Sequence, residues 1–166
     1  MKRILSIIMA VMVIAGALTC LASCEKKAYT DTAECKDLGD TLISAIDDGQ
    51  EYLDHDGTHT EFYFEDTEEY DDCRLMYSAD TNDINEVGIF HAPNSKKAAE
   101  LEESCREYIE NMREDDRSFI ASYAPEELPK LDGAQVRRFG NYVVYTVLPS
   151  DKTESVLSRL EDTLSK

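Results

Sequence analysis

"AQVRRFGNYVVYTVL", residues 134–148, decides the fold. Residues 134–139 and 142–148 read as two extended runs separated by Gly140-Asn141. A two-residue loop with a glycine that takes positive φ without steric cost reverses an antiparallel pair. A second hairpin lies upstream. Residues 73–78 alternate, with Cys73, Leu75 and Tyr77 on one face and Arg74 and Met76 on the other. After the turn formers Asp80, Thr81, Asn82 and Asp83, "NEVGIFH" (85–91) reads as the returning strand.

Helical periodicity surrounds the two hairpins. Cys35, Leu38, Leu42, Ile43 and Ile46 recur at helical spacing after Asp31 or Thr32, either of which can cap, and Gly49 closes this segment. Residues 96–123 read as one long helix, introduced by Asn94 or Ser95. Its apolar stripe runs through Ala98, Leu101, Cys105, Tyr108, Ile109, Met112, Phe119, Ile120 and Tyr123. Pro125 and Pro129 bracket a loop, and residues 151–165 form a closing helix with Val156, Leu157, Leu160 and Leu164 inward. Residues 50–72 are acidic and turn-rich and read as a loop with a short helical or extended piece. The expected fold is α+β: an antiparallel four-stranded sheet of two hairpins with helices packed on one face, in the order α-β-β-α-β-β-α. Strands that are not uniformly apolar argue against a sheet covered on both faces.

The N-terminus states an address. Lys2 and Arg3 precede residues 4–22, which carry no charge. That pattern describes a secretory signal, although about 19 apolar residues also suffice for a spanning helix. Leu21, Ala22, Ser23 and Cys24 resemble the lipobox of bacterial lipoproteins, in which the cysteine receives a diacylglyceryl group and becomes the first residue. Cys20, preceded by Ala17, Leu18 and Thr19, is a poorer match. The expected organisation is a signal peptide (1–23), a polar tether (24–30) and one domain (31–166), with Cys24 as lipid attachment site. The implied location is the extracytoplasmic face of the cell membrane. Two acyl chains hold a soluble domain stably at a bilayer where one does so only marginally.

The formal net charge of −18 falls to −20 once Lys2 and Arg3 are removed. Such a surface argues against nucleic acid and against adhesion to anionic lipid. Cys35, Cys73 and Cys105 remain in the mature chain, an odd number at apolar-face positions. One disulfide with a spare thiol and three buried free thiols are both open readings.

"EVGIFHA", the long charged helix, "SFIASYAPEELPKLDGA" and "GNYVVYTVL" resemble bacterial lipoproteins carrying domain of unknown function 4358, found mainly in Gram-positive, Clostridia-type bacteria. The resemblance covers roughly residues 31–164. Its recognisable pieces are Gly88-Ile89-Phe90, Tyr123-x-Pro125-Glu126-Glu127, Lys130-Leu131 and Gly140-Asn141-Tyr142-Val143, which look like fold positions rather than chemistry. It implies an exported, lipid-anchored domain with no assigned activity.

Chemical constellations are sparse. In "DHDGTHTE" (54–61), His55 and His59 stand four apart beside Asp54, Asp56 and Glu61. A zinc site needs three or four converging ligands, and Gly57 interrupts the helix that would align the two histidines, so these are weak metal candidates. "DTNDINE" (80–86) lacks the glycine and distal glutamate of a calcium loop. Glu65, Asp66, Glu68 and Glu69 read as a solvated edge rather than a glycosidase pair. His91 has no accompanying G-x-S-x-G, and phosphate-binding glycine motifs do not occur. No catalytic residue and no cofactor is read. The nine tyrosines, with no tryptophan, suit core or half-exposed sheet positions or a binding face. The expected function is a non-enzymatic binding module for a protein or small ligand at the cell envelope. The alternatives are an envelope hydrolase or metal-dependent enzyme using the acidic 54–69 loop, and an accessory subunit of a membrane complex.

Overall fold

Strands β3 (Glu86–His91) and β5 (Tyr142–Val147) lie side by side at the centre of one antiparallel sheet, and every residue of the two except His91 is buried. A computed structural model describes residues 27–65 and 68–166. The expected signal with Cys20 and the expected lipid-attachment residue Cys24 lie outside the described residues. Strand β2 (Asp72–Ser78) pairs with β3, and β4 (Gln135–Phe139) pairs with β5, so both expected hairpins form. Gly140 turns the second hairpin with φ 65°.

The sheet has five strands rather than four. A short edge strand, β1 (Tyr52–Asp54), pairs with β2 and gives the order β1-β2-β3-β5-β4. Only three residues long and acidic, it carries too little alternation to be read as a strand from the sequence. The helices are α1 (Cys35–Ile46), α2 (Gly57–Tyr63), α3 (Ser95–Asp115), α4 (Arg117–Tyr123), α5 (Leu128–Asp132) and α6 (Ser150–Leu164), with a 3-10 turn at Pro125–Glu127. The order is therefore α-β-α-β-β-α-α-α-β-β-α among the described residues, not the simpler seven-element string.

Helices cover both faces, which corrects the expectation of one covered face. Val87, Ile89, Tyr142 and Val144 pack with Leu38, Leu42 and Ile46 of α1 and Val156, Leu160 and Leu164 of α6. The alternate residues Phe90, Val143, Tyr145 and Val147 pack with Ala98, Leu101, Cys105, Tyr108 and Ile109 of α3. A doubly covered strand must be apolar on both faces, and "YVVYTV" is. The flanking strands keep Arg74, Arg137 and Arg138, so the sheet as a whole reads as mixed.

The expected helix over 96–123 is two helices, parted at Asp116. Beyond the break only Ile120 of the apolar stripe is buried in α4, while Phe119 and Tyr123 are 64% and 72% exposed. Arg113 fastens the joint by donating to the carbonyls of Leu131, Asp132 and Ala134 at 3.1 to 3.2 Å. In the proline-bracketed segment, buried Glu127 accepts from the Ile84 N–H (3.0 Å) and from Lys130 (2.6 Å), which also reaches Asp83 at 2.8 Å. Glu127 and Lys130 thus pin this segment to the turn between β2 and β3. Cys35, Cys73 and Cys105 are free thiols, and Cys35 and Cys105 lie in the cores on opposite sides of the sheet. No helix among the described residues is long and apolar enough to cross a membrane.

Both ends of the described chain meet. The Lys166 N–H donates to Ala28 (3.0 Å), the Thr30 N–H donates to Leu164 (2.7 Å), and the Tyr29 ring stands edge-on to Phe139. Asp31 accepts from Nε2 of His91 at 2.9 Å, and Asp71 holds Nδ1 at 2.6 Å. Partial burial opposes the imidazolium, but these two carboxylates outweigh it and raise the His91 pKa. A raised folded-state value means the stabilisation is complete below the ordinary histidine pKa of 6.5 and is lost as pH rises through the folded value. His91→Gln is expected to lower the melting temperature at about pH 6 and to have a smaller effect at about pH 9. The difference should stay below about 1 kcal/mol because both carboxylates are half-exposed. Thermal scans at the two pH values check it; equal losses would contradict the clamp.

Candidate functional site

Glu86 and Gly88 lie two apart on β3 and therefore face the same side of the sheet, towards α3. Tyr145 stands directly opposite Gly88 on β5. A Cβ on Gly88 would lie 2.2 Å from Cε1 of the Tyr145 ring, so glycine leaves the space in which that ring lies. From there the Tyr145 hydroxyl donates to Oε1 of Glu86, as does the Tyr108 hydroxyl from α3 at 2.8 Å. Burial, reinforced by the charge of Glu86, pushes both phenols far above their ordinary range, so both stay protonated donors. Burial also opposes ionisation of Glu86, but His55 and the two hydroxyls outweigh it and hold the carboxyl below its ordinary range. The result is a buried carboxylate with one oxygen bonded twice and the other 3.6 Å from Nε2 of His55.

The two histidines arrive from the acidic segment. His55 follows β1, its N–H donating to Leu75 at 2.9 Å, so the sheet edge fixes its backbone. Asp56 caps α2 by accepting from the His59 N–H at 3.0 Å, which sets His59 in the first turn of that helix. The two imidazoles stack with centroids 3.6 Å apart, and Tyr77 covers the other side of His55 at 4.3 Å. Nε2 of His55 and Nε2 of His59 are both buried without a hydrogen-bond partner. Burial, and secondarily His55, pushes the His59 pKa down, so its ring is neutral at physiological pH. Ligand atoms of His55, His59 and Glu86 lie within 4.8 Å of one another.

His55, Tyr77, Asn85 and Glu86 form one wall of a cleft of about 310 Å³, with Met112 and Ile120 across from them. Exposed Phe119 and Asp116 also line it. His55 borders a second cleft of about 400 Å³ together with Thr60, Cys73 and Arg74. Burial pushes the Cys73 thiol up to about 11, so it is not a thiolate nucleophile at neutral pH.

Of the residues singled out in the sequence, His55 and His59 come together. Asp54 does not join them; it pairs with Nε of Arg74 at 2.7 Å. Asp56 is used as the helix cap, and Glu61 is exposed. Glu65 and Glu68 are exposed, Glu69 accepts from Ser104, and Asp66 lies outside the described residues. The stretch 80–86 is divided among three tasks: Asp80 closes a turn with Asn82, Asp83 pairs with Lys130, and Glu86 enters the site. Glu86 was weighed only as the end of the 80–86 stretch and not as a partner of the two histidines. Its signal was a lone acid in an otherwise apolar central strand, followed two residues later by glycine.

The family model described as Domain of unknown function (DUF4358) matches residues 45–148. The chain belongs to this family. No curated protein and no solved structure matches it. In this DUF4358 chain the matched span includes His55, His59, Glu86, Gly88, Tyr108 and Tyr145, so the whole constellation falls within it.

Gly88→Ala is expected to lose about 1–3 kcal/mol in urea unfolding, because the added methyl displaces the Tyr145 ring and with it a donor to Glu86. Gly57→Ala, whose methyl would meet nothing within 4 Å, should be neutral or stabilise by up to about 1 kcal/mol. Equal effects of the two substitutions would refute the packing role given to Gly88.

Proposed function

We propose that this DUF4358 protein is anchored to the extracytoplasmic face of the cell membrane through a diacylglyceryl group on Cys24 and binds a ligand in the cleft beside His55. The observation that carries the binding reading is the cleft lined by His55 and by the buried carboxylate of Glu86, beside two imidazole nitrogens without a hydrogen-bond partner. Buried polar groups are almost always paired, so such a cluster marks a place where a partner is missing. The anchor is supported by Leu21, Ala22, Ser23 and Cys24 and by the short distance between that cysteine and the folded part. Three residues span at most about 11 Å, so an anchor on Cys24 would keep Lys27 and the paired chain ends next to the bilayer. A protein or small-molecule partner in the cell envelope fits a surface whose acidity disfavours nucleic acid.

A second reading, a metal-dependent envelope enzyme such as a hydrolase, is favoured by the meeting of His55, His59 and Glu86. It takes its carboxylate from β3 and not from the acidic 54–69 loop.

Cell fractionation with metabolic palmitate labelling tests the anchor. The wild-type chain should be labelled, sediment with membranes and begin at Cys24, and Cys24→Ala should abolish the label and leave residues 1–23 uncleaved. Palmitate label that persists in Cys24→Ala, or a wild-type chain that carries none, would refute it.

A further inference from the structure

We infer that His55, His59 and Glu86 form a binding site for a divalent transition ion of the Zn²⁺ class, which rests on the reading that this cleft takes a ligand. Two imidazoles and a carboxylate are the donor set that Zn²⁺ accepts from a protein when a fourth position is left for solvent or a further ligand. Borderline ions such as Zn²⁺ suit imidazole, whereas Ca²⁺ and Mg²⁺ prefer an all-oxygen shell. Nε2 of each histidine is a buried atom with no hydrogen-bond partner, and that of His55 stands 3.6 Å from Oε2 of Glu86. Leaving a buried polar atom unsatisfied is unfavourable, a penalty an ion would remove twice over.

The supporting residues fit the same assignment. Tyr108 and Tyr145 occupy Oε1 of Glu86, leaving the other oxygen towards His55. Hydroxyls that orient a liganding carboxylate are the usual second layer of such a site. Access exists through the cleft beside Asp116 and Asp83, and a net charge of −18 concentrates cations near the protein.

Coordination requires one rearrangement. Donor atoms on a single tetrahedral Zn²⁺ lie about 3.3 Å apart, against separations of up to 4.8 Å here. The stacked rings, only 11° from parallel, must also splay so that their lone pairs converge. His59 is the ligand that would have to shift, because it sits on α2, which contributes no fully buried residue, whereas the other two sit on the sheet. His55, held at the end of β1, and Glu86, held in β3, supply the fixed half of the site.

The test is Zn²⁺ binding to the full-length chain in detergent after metal removal, read by equilibrium dialysis with elemental analysis. One Zn²⁺ per chain is expected for the wild type and for His91→Gln, which removes the third histidine. His55→Gln and His59→Gln should lose the stoichiometric ion while keeping a cooperative melt. Tyr145→Phe should weaken binding about 10- to 100-fold. X-ray absorption on the loaded wild type should show two imidazole nitrogens at about 2.0–2.1 Å, which tests the ligands even if a variant misfolds. Less than one ion at saturation, retention of the ion by His59→Gln, its loss in His91→Gln, or a shell without two imidazoles would overturn the assignment. A wild type that holds no ion overturns the ion site alone, because the cleft lined by Tyr77, Met112 and Ile120 still offers an apolar surface to an organic or peptide ligand, so failure of the ion site and failure of the cleft reading are told apart.

Discussion

A carboxylate buried in the middle of an antiparallel sheet is the constraint around which one whole layer of this protein is arranged. Moving an ionised group out of water costs several kcal/mol unless hydrogen bonds and opposite charge offset it. The protein meets that cost with three elements distant in sequence. Strand β5 brings Tyr145, α3 brings Tyr108, and the acidic segment brings His55. The arrangement works only because Gly88 gives its side-chain volume to the Tyr145 ring. Each partner is also a core residue or lies against one, so the polar cluster and the packing of α3 on the sheet are a single structure.

The opposite face is simpler. There α1 and α6 bury a continuous apolar layer, joined by Tyr142, whose hydroxyl donates to the carbonyl of Ala33 (2.8 Å) and accepts from its N–H (2.9 Å). Asp72 accepts from the Cys35 N–H at 2.7 Å and so closes the start of α1, where Glu34 makes no side-chain cap. The cluster of His55, His59 and Glu86 lies on the α3 side, where the Tyr108 and Tyr145 hydroxyls reach Glu86.

The hairpins were legible because alternation and Gly140-Asn141 are local signals, and α1, α3 and α6 followed from helical spacing. What escaped was set by tertiary contact. Strand β1 is three residues long and exists because β2 offers an edge, and no local pattern announces that. Coverage of both faces was written in "EVGIF" and "YVVYTV", but the arginines of the flanking strands hid it. The break at Asp116 leaves Phe119 and Tyr123 exposed although they continue the stripe's spacing. Half of the site was visible, since His55 and His59 stood out as a pair. No helix carries both, as Gly57 implied: α2 begins at Gly57, so His55 lies before the helix and His59 within it. Glu86 was hidden because a carboxylate within an apolar strand acquires meaning only once Gly88, Tyr108 and Tyr145 are seen around it.

A double-mutant cycle on Tyr145→Phe and Glu86→Gln, read by urea unfolding, tests the central role of this carboxylate most directly. If the charged hydrogen bond between them organises the layer, the two substitutions are coupled by about 1.5–3 kcal/mol. Additive losses, with a coupling near zero, would contradict it.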